Sequence, residues 1–152
     1  MRKQTYFIHN AADMRQLGQQ IGQQCQTGQI IFFHGPLGAG KTTLIKGMLY
    51  TLTGLPETAI TSPTYTIVES YPHSNGQSMC HHFDLYRIHD PEELEWLGLR
   101  DYINDNDINL FEWPENGDDF LPTACHEIFI EYHDQGRFIT HLYDDSDNSH
   151  GK

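Results

Sequence analysis

The octet Gly35-Pro36-Leu37-Gly38-Ala39-Gly40-Lys41-Thr42 constrains this chain more than any other stretch. It fits G-x-x-x-x-G-K-[ST], follows the apolar run Ile30-Ile31-Phe32-Phe33 and precedes the helix-like Thr43-Leu44-Ile45-Lys46-Gly47-Met48-Leu49. Strand, glycine-rich turn and helix in that order make a phosphate-binding loop. Gly38 and Gly40 let the backbone curl so that successive N–H groups point inward, and the helix N-terminus adds partial positive charge. Lys41 is expected to reach the β- and γ-phosphates of a nucleotide, and the Thr42 hydroxyl to ligate magnesium.

Such a loop predicts an α/β domain of the P-loop NTPase type: three layers, a central, mostly parallel sheet around the loop's strand, and antiparallel hairpins extending it. The 152 residues suit a single domain over 1–143. The polar end, 144–152, has nothing to bury and is expected to be disordered.

The remaining elements follow from periodicity. Tyr6-Phe7-Ile8-His9 reads as a short strand, and Asn10 caps a helix running to about Thr27, with Met14, Leu17, Ile21 and Cys25 on one stripe. Thr66 to Tyr71 and Met79 to Leu85 flank the hairpin turn Asn75-Gly76, and Asp90-Pro91-Glu92-Glu93-Leu94 opens a helix. Ile108 to Glu112 is an apolar strand stopped by Trp113-Pro114; Glu127 to His133 and Arg137 to Tyr143 form a second hairpin around Asp134-Gln135-Gly136.

A phosphate loop needs a carboxylate at the end of a neighbouring strand to hold magnesium directly or through water. Asp84, after Cys80-His81-His82-Phe83, and Glu112, after Ile108 to Phe111, both qualify. Glu112 follows the more apolar strand. Ser62-Pro63-Thr64-Tyr65 has the makings of a switch loop, with Thr64 placed to sense metal or phosphate. His81 and His82 are adjacent in a strand, so they face opposite ways and are expected to be structural or surface residues rather than joint metal ligands.

Charge excludes one class of function. With 21 acidic residues against nine Lys and Arg, the net charge is −12, and a protein that grips a nucleic-acid backbone unaided needs a basic face. No direct binding of nucleic acid by the isolated chain is expected. A nucleotide remains admissible, because local amides, one lysine and a metal cradle its phosphates. Cys25, Cys80 and Cys125 make neither a disulfide framework nor a zinc clip, no apolar run approaches a membrane span, and Met1 to Phe7 lack a signal core. A cytoplasmic protein with reduced thiols is expected.

Gly35-x-Leu37-Gly38-Ala39-Gly40-Lys41-Thr42-Thr43, Ser62-Pro63-Thr64-Tyr65-Thr66, His82-Phe83-Asp84-Leu85-Tyr86-Arg87, Asp90-Pro91-Glu92-Glu93-Leu94-Glu95 and Glu112-Trp113-Pro114 occur in this order. Together they resemble the TsaE family of bacterial ATPases, from Asn10 to about Arg137. The resemblance implies a P-loop ATPase, using ATP and magnesium, that supports the threonylcarbamoyl modification of the adenosine beside the tRNA anticodon. It implies action on a complex of TsaB and TsaD, with TsaD the transferase. By matching position, it implies that Leu37, Gly38, Ala39, Gly40, Lys41, Thr42 and Thr43 hold the phosphates, and that Thr42 and Glu112 ligate magnesium. Lys41, Asp84 and Thr64 would serve catalysis, with Asn10, Glu115 and Arg137 near the nucleotide. One departure is Pro36, where the family has an acid; the amides that cradle phosphate come later in the loop, so binding should survive. The rival activities are a small-molecule kinase and a nucleotide-dependent binding module. The former is disfavoured because the region after Gly117 offers only Arg137 for an arginine lid.

Overall fold

The loop's strand lies at the centre of a seven-stranded sheet. The structure is a computed structural model that describes residues 1–144. The expectation of a disordered end therefore falls, from residue 145 on, outside the described residues. In chain order the elements are β1 (Arg2–Ile8), α1 (Ala11–Gly22), β2 (Ile30–His34), α2 (Lys41–Thr53), β3 (Val68–Pro72), β4 (Met79–Asp84), α3 (Glu93–Trp96), α4 (Leu99–Tyr102), β5 (Ile108–Glu112), β6 (His126–His133) and β7 (Gly136–Tyr143). The strand order is β1-β7-β6-β2-β5-β4-β3. β6, β2, β5 and β4 are parallel to their neighbours in that central block, while β7, β1 and β3 are added antiparallel at the two ends. The expected mostly parallel centre with hairpin extensions is what forms.

Alternation sorts each central strand between two cores. Ile31 and Phe33 of β2 with Ile108 and Leu110 of β5 face α1 and α2. Ile30, Phe83 and Phe111 face the other way, beneath Leu94 of α3 and Leu99 of α4. All five residues of β5 are buried, as a strand covered on both faces requires. Phe83 and Phe111 stack with ring centroids 4.5 Å apart, joining β4 to β5.

Two helices hold the loop in place from one side. Asn10 caps α1 by accepting the Asp13 N–H at 2.8 Å, and Met14, Leu17 and Ile21 are buried as their spacing predicts. α1 ends at Gly22 rather than near Thr27; a run of turns follows, pinned where the Gly28 N–H donates to the Asp107 carbonyl at 3.0 Å. α1 crosses α2 at two glycines. A Cβ on Gly18 would stand 2.2 Å from the Leu44 carbonyl oxygen, and one on Gly47 2.1 Å from that of Arg15. Backbone therefore meets backbone at this crossing, which only glycine permits.

The helix expected after Asp90 is split. Asp90 accepts from the Glu92 N–H at 3.0 Å while Glu93 reaches back to the Asp90 N–H at 3.0 Å, a reciprocal cap. Gly98, at φ 82, then separates α3 from α4. His81 clamps the sheet edge, bonded to Ser70 at 2.7 Å and to Asp107 at 2.9 Å. Cys25, Cys80 and Cys125 are free thiols. Among the described residues no helix is long and apolar enough to cross a membrane.

Candidate functional site

The loop between β2 and α2 has most of its carbonyls fastened by hydrogen bonds. Lys41 Nζ donates to the Gly35 oxygen, the Ala39 N–H to that of Pro36 at 3.1 Å, and the Leu44 N–H to that of Gly40 at 3.0 Å. Two side chains from the β6–β7 hairpin complete the set. Tyr132 Oη donates to the Leu37 oxygen at 2.8 Å and Arg137 Nε to that of Ala39 at 3.1 Å, with the guanidinium over the Tyr132 ring. Gly38 and Gly40 take φ of 78 and 111, the left-handed region where a side chain would be strained. α2 opens without a side-chain cap, so its first-turn N–H groups keep the free, positive end of the helix dipole.

A cavity of about 360 Å³ lies against this loop, bordered by Gly38, Lys41, Thr42, Thr64, Asp84 and Glu112 among others. The parallel register of β4 and β5 sets Asp84 directly beside Glu112, so both strand-end acids reach it. Thr42 Oγ1 donates to Glu112 Oε2 at 3.1 Å, which ties the first turn of α2 to the end of β5. Glu112 is 3% exposed and takes a second bond on the same oxygen, from His82 Nε2 at 2.7 Å. Thr64 joins the rim with its hydroxyl 2.9 Å from that of Ser62.

Electrostatics distinguish these groups. Burial pushes the Lys41 ammonium below its usual range, while Glu112, Glu115 and Asp84 pull it back. Its Nζ stands 3.7 Å from the centre of the Trp113 ring, a cation–π contact. Burial raises the Asp84 carboxyl above the ordinary carboxylate range, and the neighbouring Glu112 adds to it against the Tyr86 N–H bond. The donor set of hydroxyl and carboxylate oxygens fits a small hard cation that keeps several waters. Among the described residues no group of three or more His, Cys, Asp or Glu side chains makes an all-protein cage.

A second cavity, about 220 Å³, opens on the other flank of the loop. Asn10, Ala39, Thr43 and Arg137 border it together with His9 and Met14, and it shares Gly38, Gly40 and Thr43 with the first. Glu115, on the turn Pro114–Asn116, is the outlier: it acts on Lys41 through its charge without bordering either cavity. Leu37 is 65% exposed and contributes its backbone.

Four features escaped the sequence. His82 bonds the candidate metal ligand rather than serving only packing. Trp113 turns left-handed at φ 58 to bring its ring beneath Lys41. Tyr132 pins the loop from a strand whose sequence gives no hint of it. Ile67 sits at φ 71, a conformation that strains a β-branched residue, and its carbonyl accepts the Asp84 N–H at 2.8 Å. The strain thus lies where the hydroxyl-rich loop joins the acid. An alternation of two marks His82 and Asp84 as sharing a face, the one signal that could have flagged the histidine.

Residues 8–139 match the family model described as threonylcarbamoyl adenosine biosynthesis protein TsaE. The tRNA threonylcarbamoyladenosine biosynthesis protein TsaE of Haemophilus influenzae is 40% identical over 145 residues, 91% of this chain and 89% of that one. The protein of the same name from Bacillus subtilis is 33% identical over 132 residues, 86% of this chain and 79% of that one. The crystal structure of Bacillus subtilis YdiB superposes with a TM-score of 0.75 at 25% identity, over 98% of this chain and 90% of the other.

Proposed function

This chain belongs to the TsaE family of threonylcarbamoyladenosine biosynthesis proteins, and we propose that it hydrolyses ATP with magnesium to sustain that tRNA modification. Its action falls on a complex of TsaB and TsaD. The observation that carries this reading is the Thr42–Glu112 hydrogen bond, 3.1 Å long, inside a cavity that also holds Lys41 and Asp84. It joins the two oxygens a nucleotide-bound magnesium requires, one from the phosphate loop and one from a neighbouring strand end.

The phosphates occupy the larger cavity, held by Lys41 and by the loop amides from Gly38 to Thr43, of which Ala39's already donates to Pro36. The nucleoside end takes the opposite flank, between Asn10 and Arg137. Thr42 and Glu112 would hold magnesium, which would offset the negative charge of the phosphates. Lys41 must leave the Trp113 ring for the phosphate chain, trading a cation–π contact for a stronger charge-assisted one. Asp84, whose carboxyl burial has made more basic, orients the attacking water and accepts its proton. Thr64 senses the terminal phosphate from the strained loop. The acidic surface leaves tRNA to the partner proteins.

Lys41→Ala tests the assignment. It removes the cation aimed at the phosphates, and release of inorganic phosphate should fall to background while the far-ultraviolet circular dichroism stays unchanged. Undiminished hydrolysis in that variant would refute the loop as the active site.

A further inference from the structure

We propose that His82 is a positioning residue for Glu112, holding its carboxylate in the orientation that a magnesium–nucleotide complex needs. The proposal rests on the reading of the site given above and adds a residue to it.

His82 is completely buried on β4, between β5 and the edge strand β3, on the face that it shares with Cys80 and Asp84. Apolar residues dominate the surrounding core, and a leucine or phenylalanine would fill that place at no polar cost. The imidazole instead places Nε2 2.7 Å from Glu112 Oε2 and leaves Nδ1 with no hydrogen-bond partner among the described residues. A buried nitrogen that has lost water and gained nothing is a standing cost to the fold. The ring is held at that cost by the bond its other nitrogen makes.

The direction of that bond follows from the acceptor. Toward an ionised carboxylate, which only accepts, Nε2 has to be the donor. A proton on Nδ1 would find no acceptor in the apolar interior, so Nδ1 is taken as the bare nitrogen. Glu112 Oε2 receives two donors, His82 and the Thr42 hydroxyl. These differ in kind. The Thr42 hydroxyl rotates and is the group that would turn its lone pairs to a cation, breaking its bond to Glu112. The histidine is fixed by a buried strand and has no second position to take. When Thr42 lets go, His82 alone keeps the carboxylate from swinging toward Lys41 or the Asp84 side of the cavity.

The sheet enforces this geometry. His82 pairs with Leu110 and Asp84 with Glu112, so the imidazole stands one pleat below the carboxylate on the same face. A side chain there reaches the next residue up the neighbouring strand, and histidine spans that distance with a donor at its tip.

The test is a double-mutant cycle on the affinity of a non-hydrolysable ATP analogue, measured by titration calorimetry with and without magnesium. His82→Phe keeps a ring and removes the donor. It should reduce the magnesium-dependent gain in affinity about tenfold while leaving the magnesium-free affinity unchanged, the scale expected when a ligand's supporting bond is lost. In a Glu112→Gln background the same change should cost nothing further, because the histidine acts through that carboxylate. His82→Gln, which restores an N–H near the Nε2 position, should recover most of the gain and takes the place of His82→Phe in the cycle if the latter does not fold. Equal losses with and without magnesium, or full additivity with Glu112→Gln, would overturn the proposal. Nitrogen-15 NMR of the imidazole gives a readout that needs no nucleotide: an Nε2–H tautomer is expected, and an Nδ1–H tautomer would also overturn it. A protein that binds no analogue at all yet shows the Nε2–H tautomer would instead refute the nucleotide reading on which the proposal stands.

Discussion

The glycine crossing of α1 and α2 offers a substitution whose effect follows from distances alone. Gly47→Ala puts a methyl group 2.1 Å from the Arg15 carbonyl oxygen, 2.9 Å from the carbonyl carbon and 3.1 Å from the Arg15 Cα. All three are backbone atoms, so no side chain can swing aside. Relief requires α1 and α2 to part by about 1 Å, and a gap of that size forfeits a quarter to a half of each dispersion contact across it. Met14, Leu17 and Ile21 on one helix and Leu44, Ile45 and Met48 on the other are buried against each other there. Overpacking of this kind costs about 3 kcal/mol or more, and alanine's better helix propensity returns about 1 kcal/mol. The net loss of about 2–3 kcal/mol should lower the melting temperature by about 5–10 °C in a domain of this length. Differential scanning calorimetry measures it directly. Gly18→Ala makes the same collision with Leu44, so the double variant should lose much less than the sum of the two. Function should follow, since Met14 Cε already lies 2.9 Å from where a Gly40 Cβ would stand and forms the floor under the loop. A Gly47→Ala protein as stable as its parent would refute the backbone contact and the packing built on it.

Asp84→Asn should slow ATP hydrolysis at least about a hundredfold, the lower range for losing a group that positions and deprotonates water, yet raise the melting temperature. The folded carboxyl sits above 3.8, so the ionised acid weakens the fold at neutral pH and the neutral amide relieves it; a lower melting temperature would contradict this. His141 makes the opposite demand on pH. Burial, with His126 beside it, lowers its imidazole from 6.5 to about 4, so the stability it contributes is complete above 6.5 and lost as pH falls toward 4. Urea unfolding near pH 5 should show a loss on the order of 2 kcal/mol relative to pH 7.5, and His141→Phe should flatten that slope. An unchanged slope in the variant would place the titration elsewhere.

Local features were the legible ones. β2, the phosphate loop, β5 and the two hairpins could be read because alternation, glycines and turn residues act within a few positions. The pairing of β1 with β7 could not, since Tyr6 to His9 carries no mark of the strand more than a hundred residues away that extends it to Arg2–Ile8. α1 stops at Gly22, where the Gln24 and Cys25 N–H groups tighten to bonds three residues back, and the chain then turns to Gly28, which donates to Asp107; the buried stripe still reaches Cys25 without the helix. The site shows the same division. Lys41, Thr42, Asp84 and Glu112 were named from motif and strand end, and the structure gathers all four around one cavity. Alternation alone makes His82 a structural residue, because it tells which face a side chain takes and not what the next strand presents there. Trp113 was read as a strand stop, which it is, but its left-handed turn beneath Lys41 depends on α2 being alongside.

The fastening of the loop's carbonyls bears on how fast a ligand can arrive. With the oxygens of Pro36, Leu37, Ala39 and Gly40 each already accepting a bond, the loop backbone has little left to order when an anion enters, and only the Lys41 and Thr42 side chains have to turn. Encounter rather than rearrangement then governs the association rate constant. A protein of charge −12 repels a nucleotide that is itself polyanionic, so the long-range field opposes approach. Added salt should therefore speed association, the reverse of what electrostatic steering produces, until screening removes the repulsion altogether. Stopped-flow mixing with a fluorescent ATP analogue across a range of ionic strengths would reveal that rising trend, and the slope would measure how much of the surface charge faces the loop.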